Sequence, residues 1–345
     1  MAAPRDLPDA EVRRAAAALV RAHGSDTLAF FKLRRDKQYL FNPAHTAFVG
    51  YRVEGGVLVV SGDPVGSPEA VREVIPEVTA FAETHGLRFA AVAVSDEGRA
   101  LFEQAGLRAL YVGDEAIVDT GTFSLEGRAI RKVRQSVSRL EAAGYHAHVA
   151  ELNEIPAAVL SELEQIASDW RQGAKERGFS MAMDSLDNPD GGETVVLYAT
   201  DETGAVRGFL QFVPVFGRSA VSLSFMRRER DTPNGLTEFM IVSAIEELRA
   251  RGIAEVSLNF ALFARLLREP RGVLERLAGR GLALGDTWFQ IERLYRFNAK
   301  FFPRWQPRYL MYERRFGLPR AGVAALWIEG QLPYPGRRRG RVGTA

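Results

Sequence analysis

The order of the predicted elements repeats along the chain, and this repeat constrains the fold more than any single motif. Strand-like apolar runs, hairpin signals and amphipathic helices occur over residues 25–145 and again over residues 146–332. Both series include a hairpin, a further strand, a helix and a closing strand. We therefore predict a mixed α/β fold of two successive units, each with a central mixed sheet flanked by helices.

Local signals set the limits of these units. A short helix is predicted within residues 1–24, and a basic helix from Ser124 to Ala143 is predicted to end the first unit. The first hairpin is predicted across Glu54-Gly55-Gly56. Phe289 to Phe297 is predicted to be helical, and Arg308 to Arg314 to form the last strand. Residues 333–345 hold four arginines among glycines and predict a disordered basic tail.

Composition excludes several kinds of site. The 345 residues contain no cysteine, which excludes disulfides, a thiolate nucleophile and cysteine-based metal sites. The five histidines form no metal-ligand pattern, so no metal is predicted. No run approaches the roughly 20 apolar residues that span a bilayer, so the polypeptide is expected to be soluble or at most peripheral.

The charge is unevenly distributed. The formal net charge is +2, but residues 227–345 contain 22 Arg and Lys against 12 Asp and Glu. This asymmetry predicts contact with a polyanion, either a nucleic acid or an anionic membrane surface. A second basic cluster in the predicted helix before Gly144 is a candidate for binding tRNA or another anion: Arg128, Arg131, Lys132 and Arg134.

A polar turn between a strand and a helix is the first candidate site. The strand that ends near Arg227 leads through Asp231 and Thr232-Pro233-Asn234-Gly235 into a helix that carries Glu238. Backbone N–H groups at a helix start favour anionic ligands. The turn lacks the repeated glycines that hold the pyrophosphate of coenzyme A in acyltransferases. A plain turn with a helix cap would give the same pattern.

Two further segments carry candidate residues. Asn259 ends an apolar strand beside the expected cleft, where it binds a ligand or caps the next turn. The segment from Tyr295 to Tyr309 interleaves cations with aromatics, a pattern that suits unpaired bases and phosphates. Phe301 and Phe302 are expected to pack into the core. The residues of this segment expected to meet a ligand are Lys300, Trp305, Arg308 and Tyr309.

Together these segments resemble the catalytic domain of the phosphatidylglycerol lysyltransferase family, the bacterial multiple-peptide-resistance aminoacyltransferases. The resemblance is strongest to the actinobacterial branch, and it extends from about Ala10 to Gly330. Supporting pieces in family order are Ser61-Gly62-Asp63-Pro64-Val65-Gly66, Phe123-Ser124-Leu125-Glu126-Gly127, Arg131 to Tyr145, Ser168-Asp169-Trp170 and Lys175-Glu176-Arg177-Gly178-Phe179.

The resemblance implies a tandem GNAT-like acyltransferase fold whose second unit, residues 146–332, is catalytic. It implies aminoacyl-tRNA as co-substrate, no further cofactor, and phosphatidylglycerol or a related lipid as acceptor. It further implies a cytoplasmic location, peripheral at the inner face of the membrane. The polytopic membrane domain of the family is expected to be a separate partner polypeptide, to have been removed from this chain, or never to have belonged to it. Residues expected to be catalytic are Arg227, Asp231, Glu238, Lys300 and Tyr309. Residues expected to bind substrate are Ser224, Asn234, Gly235, Asn259, Trp305 and Arg308.

The chain departs from the family at one motif position. Ser224 stands where the motif has an acidic residue, so the identity of the transferred amino acid is open. In the expected mechanism Arg227 and Lys300 stabilise the developing oxyanion of an ester that is already activated. Asp231 or Glu238 holds the aminoacyl ammonium or takes the hydroxyl proton.

Three other functions are compatible with the same residues. One is a coenzyme A-dependent N-acetyltransferase, which the missing glycine-rich loop argues against. The second is aminoacyl transfer from tRNA to a non-lipid acceptor. The third is a non-catalytic module that binds tRNA or an anionic membrane.

Overall fold

The computed structural model describes residues 10–172, 176, 178–188, 190–262, 293–313 and 317–332. Seven helices of the described residues are labelled in chain order: α1 (Ala10–His23), α2 (Ala70–Thr84), α3 (Asp96–Gln104), α4 (Arg131–Ala142), α5 (Ala157–Arg171), α6 (Leu236–Ala250) and α7 (Gly317–Ile328). Residues 293–298 are also helical. Short 3-10 turns lie at Phe30–Leu33, Leu152–Glu154, Gly191–Glu193 and Ala299–Phe301.

Twelve strands form one mixed sheet. They are β1 (Gln38–Phe41), β2 (Ala47–Glu54), β3 (Val57–Ser61), β4 (Val65–Gly66), β5 (Arg88–Val94), β6 (Arg108–Asp119), β7 (His146–Glu151), β8 (Val195–Thr200), β9 (Val206–Val215), β10 (Ala220–Arg228), β11 (Glu255–Leu262) and β12 (Arg304–Tyr312). Their order is β1-β2-β3-β5-β12-β6-β11-β10-β9-β8-β7, and β4 pairs with β2. The β3–β5 and β10–β11 pairs are parallel, and the other pairs are antiparallel.

The two halves of the chain exchange strands at the centre of this sheet. β12, from the second half, lies between β5 and β6 of the first half. β6 in turn pairs with β11 of the second half. The division at residues 145 and 146 stays a prediction, but the sheet continues through both halves because each contributes a strand to the other.

Alternating side chains of the sheet pack into cores on opposite faces. In β3, Val57 and Val59 belong to a core with α1, α5 and α7, while Leu58 and Val60 pack against α2. A further core lies under α4 and α6. Because helices cover both faces, β3 is buried along its whole length and is apolar from Val57 to Val60. Each such buried side chain contributes roughly 1.5–3 kcal/mol.

The predicted hairpin is confirmed, since β2 and β3 pair across Gly55 and Gly56, both with positive φ. The predicted basic helix is shorter than expected. It begins at Arg131, because Ser124 to Ile130 form a turn in which Gly127 has a φ of 88°. The last strand begins at Arg304 rather than Arg308, and α7 was not predicted. Residues 1–9, 289–292 and 333–345, on which parts of the predictions fall, lie outside the described residues.

No helix within the described ranges combines the length and the apolar character that crossing a bilayer requires. This finding concerns the residues from 10 to 332 that the structure describes.

A buried ion cluster lies at the strand exchange. Arg308 of β12 donates to Glu115 of β6 at 2.5 Å and pairs with Asp26 at 2.7 Å. It also donates to Thr27 at 2.7 Å, and Glu115 accepts a hydrogen bond from Ser257 of β11. Burial alone would lower the pKa of Arg308, but Asp26 and Glu115 outweigh it and raise that pKa. The cluster therefore connects strands of both halves with the loop after α1.

Removing one charge from this cluster is expected to destabilise the protein strongly. Arg308→Met leaves the buried carboxylate of Glu115 and the partly buried carboxylate of Asp26 without their cation, and breaking a buried pair typically costs about 3–5 kcal/mol. The free energy of unfolding in urea measures the loss. Joint replacement, R308M with E115L, is expected to recover part of it because one of the stranded carboxylates is then absent. A loss below about 1 kcal/mol for R308M would contradict the assigned role, and the exposed Arg251→Met is the matched control.

Candidate active site

Two parallel strands separate in the second half of the chain and open a wedge. β10 and β11 pair only from Ala220 to Ser222, opposite Glu255 to Ser257. Beyond that point β10 has an irregularity before Phe225, and β11 has one before Phe260. Such irregularities bend a strand and interrupt its pairing. The wedge thus follows from the local backbone of both strands.

Asn259 holds the wedge at a fixed width. Its backbone is left-handed, with a φ of 71°, which asparagine tolerates better than most residues. Its Nδ2 donates to the carbonyl oxygen of Leu223 at 3.0 Å and to that of Met181 at 2.5 Å. The predicted substrate-binding amide is therefore engaged with backbone on both sides, and its role in the structure is to position the strands.

Ser224 and Arg227 also contact the segment that packs over the wedge. The Ser224 hydroxyl accepts a hydrogen bond from the Met183 backbone N–H at 3.1 Å. Arg227 forms an ion pair with Glu176 and lies 5.2 Å from the Phe225 ring centre. Burial lowers the pKa of Arg227, and Glu176 partly offsets that effect. Glu176 lines a cleft of about 410 Å³ beside α5.

A separate basic cleft lies where α6 begins, and it brings several predicted residues together. Its volume is about 480 Å³. Lys300 donates to Glu238 at 2.7 Å, and its ammonium lies 5.1 Å from the Phe297 ring centre. The other charged or polar residues that line it are Lys132, Ser136, Arg139, Asn234 and Arg296. Cations thus surround one carboxylate at the positive end of a helix.

Gly235 allows α4 to approach the start of α6. Its φ is 97°, and an added Cβ would lie 2.7 Å from the Ser136 Cβ. Arg139 of α4 donates to the Asn234 carbonyl oxygen. The sequence analysis named Lys132 as a candidate but missed that it shares one face of α4 with Ser136 and Arg139, although their spacing of four and three places them on one helical face.

Phe302 differs from the expectation that it packs into the core. Its side chain is 59% exposed, whereas Phe301 is buried. The backbone of Phe302 is left-handed, with φ 51° and ψ 48°, and this turns the ring into the basic cleft. Pro303 directly after it gave a sequence signal, since a residue before proline is disfavoured in the helical region.

The remaining predicted residues do not join this cleft. Asp231 is exposed on the preceding turn. Tyr309 lies in the first half of the sheet, where its hydroxyl accepts a hydrogen bond from Arg99 at 3.3 Å. Arg308 was predicted to bind substrate. In the structure only 2% of its surface is exposed, and its guanidinium pairs with Asp26 and Glu115 instead. Trp305 stacks on Tyr295 with ring centres 4.6 Å apart.

The predicted anion-binding cluster at the start of α4 is also divided. Lys132 lines the basic cleft. Arg134 donates to the carbonyl oxygens of Leu125 and Gly127 and stabilises the turn before the helix. Arg128 and Arg131 are exposed. Within the described ranges, no three His, Asp or Glu side chains are grouped so as to hold a metal.

The protein is thus a mixed α/β protein with a wedge between two parallel strands and a helix that starts at the open end of the wedge. Comparison with known proteins gives the family. A family model for the C-terminal part of phosphatidylglycerol lysyltransferase matches residues 17–312. The chain belongs to this family, which confirms the resemblance predicted from its motifs.

Relatives with curated descriptions are actinobacterial proteins called lysylphosphatidylglycerol biosynthesis bifunctional protein LysX. The one from Rhodococcus jostii is 38% identical over 330 residues, which cover 94% of this chain and 29% of the relative. The one from Nocardia farcinica is 40% identical over 316 residues, covering 90% and 28%. The chain therefore spans less than a third of the length of these relatives.

Two solved structures share the fold. L-PGS from Bacillus licheniformis has a TM-score of 0.79 at 24% identity, covering 98% of this chain and all of that chain. The C-terminal domain of a putative lysylphosphatidylglycerol synthetase from Agrobacterium fabrum also has a TM-score of 0.79, at 26% identity, covering 94% and 98%. The mixed α/β fold expected from the sequence, a mixed sheet flanked by helices, is confirmed, although one continuous sheet stands where a sheet in each unit was predicted. The assignment of site residues stays a prediction.

Replacing Gly235 tests the packing at the start of α6. Gly235→Ala forces a side chain into a left-handed backbone against Ser136, so stability is expected to fall by roughly 1–3 kcal/mol. Thermal unfolding followed by circular dichroism measures the change. Gly204→Ala is the control for φ alone, because Gly204 has a φ of 85° with no neighbour near its missing Cβ. Equal losses for both variants would show that the contact with α4 contributes nothing.

Proposed function

We propose that this chain transfers an amino acid from aminoacyl-tRNA to a hydroxyl group of phosphatidylglycerol, with lysine as the first candidate. The observation that supports this most directly is the Lys300–Glu238 pair, set among cations where α6 begins, in a member of the phosphatidylglycerol lysyltransferase family. The names of the relatives point to lysine and to this lipid.

The chemistry required of such a site is modest. The oxygen of the lipid hydroxyl attacks the ester carbonyl carbon, the bond to the terminal ribose oxygen breaks, and the hydroxyl proton ends on that ribose oxygen. The protein must align the two groups and stabilise the oxyanion that develops. Lys300 and the N–H groups at the start of α6 supply positive charge for this, while Glu238 positions Lys300 and accepts the proton.

The surroundings of the pair suit the unpaired end of a tRNA. Lys132, Arg139 and Arg296 place cations around the cleft for the terminal phosphates. Phe302 presents an exposed ring for a base to stack on. A coenzyme A-dependent reaction gains no comparable support, because the turn before α6 has a single glycine, Gly235, and that glycine is occupied by the contact with α4.

The lipid acceptor places the working enzyme at the cytoplasmic face of a membrane, and a separate polytopic membrane protein would bring lipid and protein together.

The acceptor and the amino acid are both identified by one experiment. The chain is incubated with individually charged tRNAs and phosphatidylglycerol vesicles, and the lipids are examined by mass spectrometry. Lysyl-phosphatidylglycerol is the expected product.

Several outcomes of that experiment would change the proposal. Because Ser224 replaces an acidic motif residue, the product could carry another amino acid. Such a product would change the amino acid assigned in the proposal and leave the assigned type of reaction unchanged. Transfer only to a soluble acceptor, run in parallel, would remove the lipid from the proposal. Absence of transfer to either acceptor, together with binding of acetyl coenzyme A, would overturn it.

Lys300→Ala is expected to lower the rate of transfer at saturating substrates by at least roughly 100-fold, since it removes a charge aimed at the oxyanion. Glu238→Gln is expected to slow the rate by a comparable factor, because the amide still accepts a hydrogen bond from Lys300 but cannot take the hydroxyl proton. Single-turnover transfer of radiolabelled amino acid measures both. Arg251→Ala, at the opposite end of α6, is the control. Near-normal transfer by folded K300A would remove Lys300 from the mechanism.

Phe302→Ala is expected to raise the KM for aminoacyl-tRNA by roughly 5- to 150-fold, the effect of losing about 1–3 kcal/mol of stacking on one base. The rate at saturating tRNA should change little. Phe302→Trp should retain the affinity, because it keeps an aromatic face. Steady-state kinetics against tRNA concentration separates the two effects. An unchanged KM in F302A, or a loss in F302W equal to that in F302A, would exclude stacking.

A further inference from the structure

The helix α7 carries almost no polar side chains. Of its twelve residues one, Arg320, is charged, and the others are glycine, proline or apolar. One side of the helix packs into the core through Ala321, Ala324, Ala325 and Ile328. A helix at the surface of a soluble protein ordinarily carries polar residues on the side that faces water. The core therefore explains only one of the two apolar sides of α7.

The outward side of α7 is apolar around a single arginine. Val323, Leu326 and Trp327 lie on this side, because residues three and four apart share one helical face. Val323 is 38% exposed, and Leu326 and Trp327 are half-buried. Leu332, just beyond the helix, is 37% exposed. Arg320 is also exposed and is the only charged residue of α7.

The turn between β2 and β3 extends this outward side. A ring carbon of Trp327 lies 3.4 Å from the point where a Cβ of Gly55 would stand, so the indole packs against the turn. Gly55 and Gly56 are exposed and have no side chains that could project beyond the indole. We call the following set the α7 surface: Arg320, Val323, Leu326, Trp327, Leu332 and the Gly55–Gly56 turn.

The sequence around α7 is strongly basic. Residues 314–345 contain seven arginines and one acidic residue, Glu329. Glu329 is buried, and burial raises the pKa of its carboxyl group. The arginines on either side of the helix lie outside the described residues, and they contribute through their charge and their place in the sequence: Arg314, Arg315, Arg337, Arg338, Arg339 and Arg341.

The carboxylates beside the α7 surface do not cancel this charge. A groove of about 700 Å³ between the β2–β3 turn, the start of β5 and α7 is lined by Arg88, Arg320, Glu83 and Glu313. Glu313 pairs with Arg88 at 3.2 Å and accepts a hydrogen bond from the Phe89 backbone N–H at 3.0 Å. Two cations and two carboxylates leave the groove itself close to neutral. The excess positive charge therefore comes from the sequence that flanks α7.

An apolar helix side among arginines suits an anionic bilayer better than other partners. A nucleic acid would pair with the arginines but would gain little from Val323, Leu326 and Trp327. A second copy of the chain would cover these side chains but would bring two sets of arginines together. At a bilayer surface, apolar side chains and tryptophan enter the boundary while arginines meet the headgroups. With twelve residues, α7 is shorter than the roughly 20 that cross a bilayer, so it would lie along the surface.

We propose that the α7 surface docks the protein on a bilayer that contains phosphatidylglycerol, with α7 parallel to the membrane at the level of the headgroups. The inference rests on the proposed function for the identity of the lipid, and it adds the surface that meets the membrane. It also assigns a role to the basic C-terminal sequence, for which a nucleic acid and an anionic membrane were both open from the charge distribution alone.

Flotation of the full chain with vesicles tests the docking without tRNA. We expect binding to vesicles that contain phosphatidylglycerol, and binding weaker by roughly tenfold or more to phosphatidylcholine vesicles, whose surface has no net charge. Val323→Glu should weaken binding to phosphatidylglycerol vesicles by roughly tenfold or more, because it places a carboxylate in the apolar side. Val12→Glu is the matched control. Val12 lies on α1 with 37% exposure, and its replacement should leave the affinity unchanged.

A fluorescent probe at position 323 gives a second readout. The chain has no cysteine, so Val323→Cys and Val12→Cys each supply a single thiol for a nitrobenzoxadiazole dye. We expect the emission of the dye at position 323 to rise and shift to shorter wavelength when phosphatidylglycerol vesicles are added. The dye at position 12 should not respond. Thermal unfolding checks that every variant is folded.

Several outcomes would overturn the proposal. They are absence of flotation with phosphatidylglycerol vesicles, equal binding to both kinds of vesicle, and equal binding by folded V323E and V12E. If the wild-type chain forms a dimer without lipid and V323E does not, the α7 surface is a contact between copies instead. If V323E loses affinity for tRNA and keeps it for vesicles, the surface binds nucleic acid.

A short-chain phosphatidylglycerol that forms no bilayer separates docking from the reaction. V323E should transfer the amino acid to this dispersed lipid as fast as the wild-type chain does, because its defect lies in docking. Transfer to the dispersed lipid without flotation on vesicles would overturn the docking alone. Flotation without transfer to any lipid would overturn the proposed reaction and leave the docking in place.

Discussion

The exchange of β6 and β12 is the constraint on which the rest of the structure depends. Each half of the chain completes its part of the sheet with a strand from the other half. Arg308 fixes this arrangement, because its buried guanidinium is shared between Glu115 of β6 and Asp26 of the loop after α1. A buried arginine is tolerated only when its charge and its N–H groups are compensated, so the strands have one register in which they fit.

The geometry of the candidate active site depends on that exchange of strands. β12 begins three residues after Phe301, the last residue of the turn that carries Lys300. Fixing β12 therefore fixes the position of Lys300 opposite Glu238. On the other side of the wedge, Asn259 connects β11 to Leu223 of β10 and to Met181. The second half thus has a rigid frame, and the exposed ring of Phe302 lies at its edge.

Local features of this fold could be predicted from the sequence, and non-local ones could not. The hairpin at Gly55 and Gly56 and the polar turn before Glu238 depend on neighbouring residues, and both are present. The strand exchange depends on pairing between residues about 190 positions apart, such as Arg308 and Glu115, and no local pattern encodes it. For the same reason Arg308 was predicted to bind substrate, although its charge is used inside the protein. The contacts of Ser224 and Asn259 with Met183 and Met181 were equally hidden, because they come from a segment remote in sequence.

The central claim is that the basic cleft at the start of α6 holds the aminoacylated end of a tRNA. A tRNA whose terminal adenine carries a photoreactive azido group tests this most directly, with the crosslinked peptide identified by mass spectrometry. The account predicts crosslinks to the peptide around Phe302 and Lys300, which unmodified tRNA suppresses by competition. Crosslinks confined to the first half of the chain, or crosslinks that competitor tRNA does not suppress, would contradict it.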